Sequence, residues 1–333
     1  MKTWIHKTLA FTAVSALIIS GCSAKTTTET SASAAPTAQA NQESGKKLKV
    51  VTTFYPMYEF SKQIAGEHAE VIGLVPTGVE PHDWEPSAKD MAQLKEADVF
   101  VYNGIVEGWV PKALESAANS KRVVVEASKA VELMEGLHEE DEHGHGKEEK
   151  EHKDEHEEEG LDPHVWLDPV LAQKEVAAIQ AALVQADPAH KDAYTKNADA
   201  YIAKLKELDD LFRSGLKDVK RKDFITQHAA FAYLAKQYGL TQVPISGLSP
   251  EAEPAPDKMA EVIKFAKEKT VKTIFFETLV DPKIASTIAK EIGAKTEVLN
   301  PLEGLTDEEK KNNLDYIGVM KKNLEALKKG LNE

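Results

Sequence analysis

A single cysteine, Cys22, stands in a chain of 333 residues, so neither an intramolecular disulfide nor a cysteine-built metal cluster can form. Any metal chemistry therefore falls to histidines and carboxylates. Long apolar runs are scarce as well, and beyond the N-terminal segment none reaches the ~18 residues of a spanning helix. Basic charge is in the minority, with 41 Lys and Arg against 55 Asp and Glu and a formal net charge of -14. That balance opposes binding to nucleic acid or to an anionic membrane surface. There is no Walker loop, no His-Glu-x-x-His pair and no nucleophile elbow. What is present suffices for a real core: 42% of the residues are hydrophobic, and the length suits about two domains of ~100–200 residues each. A disordered chain and a disulfide-stapled miniprotein are excluded.

The N-terminus carries Lys2 and Lys7, then an apolar run from Leu9 to Ile19, then Ser20, Gly21 and Cys22. The run is too short to span a bilayer and has the shape of a secretory signal. Ile19-Ser20-Gly21-Cys22 is similar to the bacterial lipoprotein box, with residues 1–21 cleaved and the lone cysteine lipidated; several acyl chains give the stable anchoring that one chain does not. Residues 22–47, rich in Thr, Ser, Ala, Gln and Pro, have no apolar period and read as a flexible tether. The expected location is the extracytoplasmic face of the cell membrane.

From Leu48 onward, short β-branched runs alternate with helical patterns. Leu48–Phe54, Val71–Val75, Val99–Tyr102 and Arg122–Val125 read as strands, and so do Phe224–Gln227, Gln242–Ile245, Val271–Phe276 and Thr296–Leu299. Helices are expected at Ser87–Ala97, with Ser87 as N-cap, and at Phe231–Tyr238, Asp257–Lys269, Pro282–Ile292 and Asp307–Leu331. Alternation of this kind predicts an α/β protein of two lobes, each a mainly parallel four-stranded sheet flanked by helices. The first lobe spans residues 48–187 and the second 221–333. Between them Asp187-Pro188 precedes a helical pattern over residues 188–220 with almost no strand signal. At 1.5 Å per residue it reaches ~45 Å, long enough to join the lobes stiffly and limit their closure.

Residues 138–159 hold twelve acidic and three basic residues and five histidines, His138, His143, His145, His152 and His156. No core can contain such a run. Acidity alone would make it a solvated loop, but imidazoles interleaved with carboxylates suit divalent first-row metals, so the run is read as a weak, multi-site collector of cations.

Three other histidines sit where ligands bind in open α/β sheets, outside the carboxyl ends of the strands. His82 lies in Gly78-Val79-Glu80-Pro81-His82-Asp83-Trp84 and His164 in Asp162-Pro163-His164-Val165-Trp166-Leu167-Asp168-Pro169, while His228 follows a strand. Neighbouring prolines stiffen the first two loops, and a Trp two residues on can pack the imidazole and exclude water. His68 and His190 read as surface residues.

With these motifs the chain resembles the substrate-binding lipoproteins of bacterial zinc and manganese ABC importers, most closely the zinc members, across the domain from Leu48 to the C-terminus. The resemblance implies a metal site in the interlobe cleft, with His82 and His164 from the first lobe and His228 and a fourth ligand from the second. In this family the fourth ligand is Asp, Glu or water from the loop after the last strand, where Glu303 stands. Glu277, Asp281, Glu80 and water are the competing choices. Three imidazoles and a carboxylate match the four-coordinate preference of zinc, whereas manganese favours harder donors. The implied partners are a permease and an ATPase on separate chains. A monomer is expected, with no nucleic acid and with contact to the membrane through lipid alone. Two other classes stay open: a surface metal buffer or adhesin, and a zinc hydrolase, which would need an open water position.

Overall fold

The computed structural model describes residues 47–136 and 160–333. The signal segment, Cys22 with the tether, and the histidine-rich run lie outside the described residues. Leu48–Thr52 (β1), Ala69–Gly73 (β2), Val99–Tyr102 (β3) and Val123–Glu126 (β4) pair in parallel, in the order β2-β1-β3-β4. Asp223–Thr226 (β5), Thr241–Pro244 (β6), Thr273–Phe276 (β7) and Lys295–Val298 (β8) repeat the arrangement as β6-β5-β7-β8. Each predicted strand forms, with ends displaced by at most two residues. Apolarity outlasts the ladder at several C-terminal ends: Phe54, beyond β1, is fully buried and is the N-cap of the first helix.

The helices are Tyr55–Ala65 (α1), Ala88–Glu96 (α2), Val110–Ser116 (α3), Pro169–Ala186 (α4), Lys191–Leu216 (α5), Ala232–Gln237 (α6), Pro256–Glu268 (α7), Lys283–Ile292 (α8), Asp307–Lys311 (α9) and Tyr316–Leu331 (α10). They cover both faces of both sheets, which is why the strands lack polar alternation. In β1, Val50 and Val51 point to opposite faces. Val51 joins Phe100, Leu94 of α2 and Val110 of α3 in an outer cluster, while Val50 belongs to the large inner core. The second sheet does the same: Ile225 and Ile274 pack with Val262 of α7 and Ile288 of α8, whereas Phe224 and Phe275 face inward.

The inner core is continuous between the lobes, and α5 runs through it. Tyr194, Ala198, Tyr201, Leu205, Leu208, Phe212 and Leu216 recur every three or four residues and are all buried, forming one apolar stripe along 26 residues. Phe60 of α1 in the first lobe touches Tyr201 of that stripe and Tyr316 of α10 in the second.

The predicted 188–220 helix is shorter in the structure. Pro188–His190 is a 3-10 turn and α5 ends at Leu216. The expected Asp307–Leu331 helix is broken: Asn313 adopts φ 53, and Asp315 caps a new helix by accepting from the Gly318 amide at 2.8 Å. An Asp N-cap inside an apolar period overrode the period.

Candidate metal centre

The C-terminal ends of the strands lead into the loops that build the site. His82 lies between β2 and α2, His228 two residues beyond β5, and Glu303 between β8 and α9. His164 precedes a 3-10 turn, Val165–Leu167, and α4, whose N-cap Asp168 accepts from the Val170 amide.

Each histidine's loop is fixed by a carboxylate side chain. Asp162 Oδ1 accepts from the His164 amide at 2.9 Å and lies 2.8 Å from ring Nδ1. Glu277 Oε1 does the same for His228, at 3.0 Å to the amide and 2.6 Å to Nδ1. One carboxylate oxygen thus sets both backbone and ring, and with Nδ1–H donating, Nε2 is free to act as ligand. In the third loop Glu80 Oε2 accepts from the His82 amide at 2.9 Å.

All three Nε2 atoms face Glu303. Its Oε1 is 3.1 Å from His82 Nε2, 3.2 Å from His164 Nε2 and 3.4 Å from His228 Nε2, and the last two nitrogens are 3.3 Å apart. Bonds of ~2.0–2.1 Å arranged tetrahedrally place neighbouring donors ~3.3 Å apart. The four ligand atoms all lie within 4.8 Å of one another, a spacing that can hold one ion and leaves no space for a larger group. The side chains of His164 and His228 are fully buried and that of Glu303 is 2% exposed, whereas His82 is 11% exposed.

Electrostatics make the cluster avid for positive charge. Burial opposes ionisation of Glu303, but the imidazoles of His228, His164 and His82 hold its carboxyl well below the usual range. Burial also disfavours the imidazolium forms, yet Asp162 and Glu303 raise His164, and Glu277 and Glu303 raise His228 well above an ordinary histidine. Burial and then the charge of Glu303 push Glu80 up to about 8.

The competing carboxylates are thereby placed. Glu277 stands behind His228, and Asp281 accepts from the Lys283 amide through its side chain and from Gln227 through its carbonyl. Glu80 holds the His82 backbone. Glu277 bonds a loop amide, a role open to a carboxylate at that sheet edge, but the sequence patterns assign no ring-orienting role to it or to Asp162. Asp162 could have been found from its i−2 spacing to His164, whereas Glu277 is 49 residues from His228 and had no local signal. Trp166 does pack on His164, with ring centroids 5.2 Å apart, but Trp84 packs edge-on against Trp109. His68 and His190 lie apart from the four; their rings stack at 4.3 Å, and His190 bonds Asp187 at 2.6 Å.

Replacing Glu277 by Gln should weaken metal binding by roughly 10–100-fold, the usual cost of losing an orienting carboxylate, with the fold intact. Competition against a chelator of known affinity checks this, and an unchanged affinity would remove Glu277 from the site's support.

Two parallel α/β lobes, with three histidines and one glutamate clustered between their loops, define a two-lobed metal-binding protein. The zinc-uptake complex component A (periplasmic) family, ZnuA, matches residues 50–330, and the chain belongs to that family. It is 54% identical over 288 residues, 86% of this chain and 88% of the relative, to the high-affinity zinc uptake system protein ZnuA of Bacillus subtilis. The crystal structure of the metal-dependent lipoprotein YcdH from Bacillus subtilis matches with TM-score 0.72 and 51% identity, covering 86% of this chain and 100% of that one. The Zn(II)-bound ZnuA-like domain of Streptococcus pneumoniae AdcA matches with TM-score 0.72 and 45% identity, covering 86% and 100%.

Proposed function

We infer that the protein is an extracytoplasmic zinc-binding protein that captures Zn2+ and delivers it to an ABC-type permease. The observation that carries this reading is the convergence of three imidazoles and one carboxylate, with Glu303 Oε1 3.1 to 3.4 Å from each Nε2, two of those nitrogens 3.3 Å apart, and all four atoms within 4.8 Å of one another. Borderline-soft nitrogen donors in a closed four-donor shell suit zinc better than manganese. His82, His164, His228 and Glu303 are the ligands. The zinc-uptake names and the Zn(II)-bound neighbour support the same ion.

The protein is a carrier rather than an enzyme. Four protein ligands leave no position at which zinc could activate water. Coordination needs neutral imidazoles, so acid weakens binding, and ligands contributed from 48–187 and 221–333 link binding to the relation between those halves. The histidines of 138–159 collect ions for this site, and Cys22 carries the lipid that holds a monomeric protein at the membrane. Permease and ATPase are separate chains; among the described residues no helix is long and apolar enough to cross a membrane.

Metal analysis of residues 23–333 tests the reading, with zinc titrated against manganese. One zinc per chain that survives dialysis against a weak chelator is expected. A manganese preference would overturn the choice of ion, and no chelator-resistant metal would overturn the site.

A further inference from the structure

We propose that Trp166 is a positioning residue for the carboxylate ligand. Its indole, in the loop of His164, registers Glu303 across the cleft through the Pro301 carbonyl. The inference rests on the zinc-site reading above.

Trp166 is wholly buried, and its Nε1–H donates to Pro301 O at 2.8 Å. A buried indole N–H needs a partner, and here that partner is main chain two residues before Glu303. The indole cannot swing away. Its ring meets Phe54 edge-on at 5.0 Å and His164 at 5.2 Å, and the Tyr316 hydroxyl donates to its carbonyl.

The loop it holds is under conformational strain. Leu302 has φ 59, a left-handed conformation rarely adopted by a branched aliphatic residue. Asn300 Oδ1 accepts from the Leu302 amide at 2.7 Å, and Asn323 holds Asn300 at both its amide and its carbonyl. Beyond Glu303, Leu305 O accepts from the Gly78 amide at 3.0 Å, in the loop that carries His82. Asn300 and Asn323 thus fix the start of the segment within its own lobe. Trp166 and Gly78 fix Pro301 and Leu305 to the loops of the two first-lobe ligands. Of these ties, the indole is the one nearest in sequence to Glu303 that also touches a ligand ring. Without it the Pro301 carbonyl is left buried and unpaired, and Glu303 loses its registration against His164.

The test is a double-mutant cycle on the mature chain, reading Zn2+ affinity by chelator competition and site geometry by the Co2+ d–d bands, which are intense for four-coordinate cobalt and weak at higher coordination. Trp166→Phe keeps an aromatic ring in the core and removes the donor. It should lower zinc affinity about tenfold to a hundredfold and weaken the cobalt bands. In a Glu303→Gln background the same change should cost nothing more. Equal losses in both backgrounds would show that Trp166 acts only on general structure and overturn the proposal. Should Trp166→Phe fold poorly, Leu302→Gly loosens the same segment without touching the indole; it should reproduce the cobalt change and again be silent with Glu303→Gln, and full effect there would overturn the proposal. Wild-type affinity in Glu303→Gln alone would overturn both this proposal and the zinc-site reading; normal loss there with additive Trp166→Phe would overturn the proposal alone.

Discussion

His228→Ala should abolish chelator-resistant zinc binding while a chain lacking residues 138–159 retains it. Structural zinc sites are worth roughly 10–16 kcal/mol over four ligands, about 2.5–4 kcal/mol per donor, so one lost imidazole corresponds to roughly a 10^2–10^3-fold loss. The loss should exceed that of Glu277→Gln, because Glu277 only orients the ring, at 2.6 Å from Nδ1, whereas His228 Nε2 faces the other donors at 3.3 and 3.4 Å. Isothermal titration with a competing chelator measures both variants. Unchanged tight binding in His228→Ala, together with its loss in the shortened chain, would place the metal on the histidine-rich run instead of in the cleft.

Glu175→Gln should make the protein more stable, increasingly so from pH 5 to pH 8. Glu175, on α4 within the first lobe, is fully buried, and neither of its carboxylate oxygens has a hydrogen-bond partner among the described residues. Burial, and then the charge of Glu107, push its carboxyl up from 4.5 to about 8. A carboxyl raised in the folded state binds its proton there more tightly than in the unfolded chain. Below about pH 4.5 both states are protonated and the group costs nothing extra. Between about 4.5 and 8 the folded state alone retains the proton, and stability falls as pH rises; above about 8 the penalty is complete. At 1.36 kcal/mol per unit the full span is on the order of 5 kcal/mol, and Gln, which does not titrate, removes it. Denaturant midpoints across pH 5 to 8.5 give the comparison. Parallel pH profiles for the two proteins would show that Glu175 carries no such burden.

Glu107 shows why Glu175 stands out. It is equally buried, but its carboxylate accepts from Thr53 Oγ1 at 2.5 Å and from the amides of Asn103 and Gly104 at 3.0 and 3.1 Å. Those bonds organise the loop after β3. Burial raises the Glu107 carboxyl as well, but its hydrogen bonds oppose the shift and build a loop, whereas burial of Glu175 leaves the proton-dependent cost without a bond to oppose it.

Much of this protein was legible in the chain itself. Runs of four to seven residues rich in β-branched and apolar side chains, punctuated by helical periods, specified eight strands and two parallel sheets, because a strand covered on both faces has no reason to alternate. Pro81-His82 and Pro163-His164, each with a Trp two residues on, marked two metal-ligand candidates, and the end of β5 marked the third, since parallel sheets open their crevices at the carboxyl ends of strands. Their resemblance to zinc-importer binding proteins extended this to the fourth position and to the family.

The tertiary structure decided what depends on distance. Glu303, Glu277, Asp281 and Glu80 are all carboxylates near the relevant sheet edge, and no local pattern distinguishes a ligand from a residue that steadies one. Only the fold brings Glu303 Oε1 to 3.1 Å from a histidine 221 residues away, and turns Glu277 onto the Nδ1 of His228 instead. The break before α10 likewise depended on Asn313 and Asp315 preferring local backbone bonds to a longer helix. Sequence by itself determined which side chains can coordinate, through their chemistry and the stiffness of their own loops; which of them come within reach of one another is set by how the two lobes pack, because a shared ion requires atoms from both within a few ångströms.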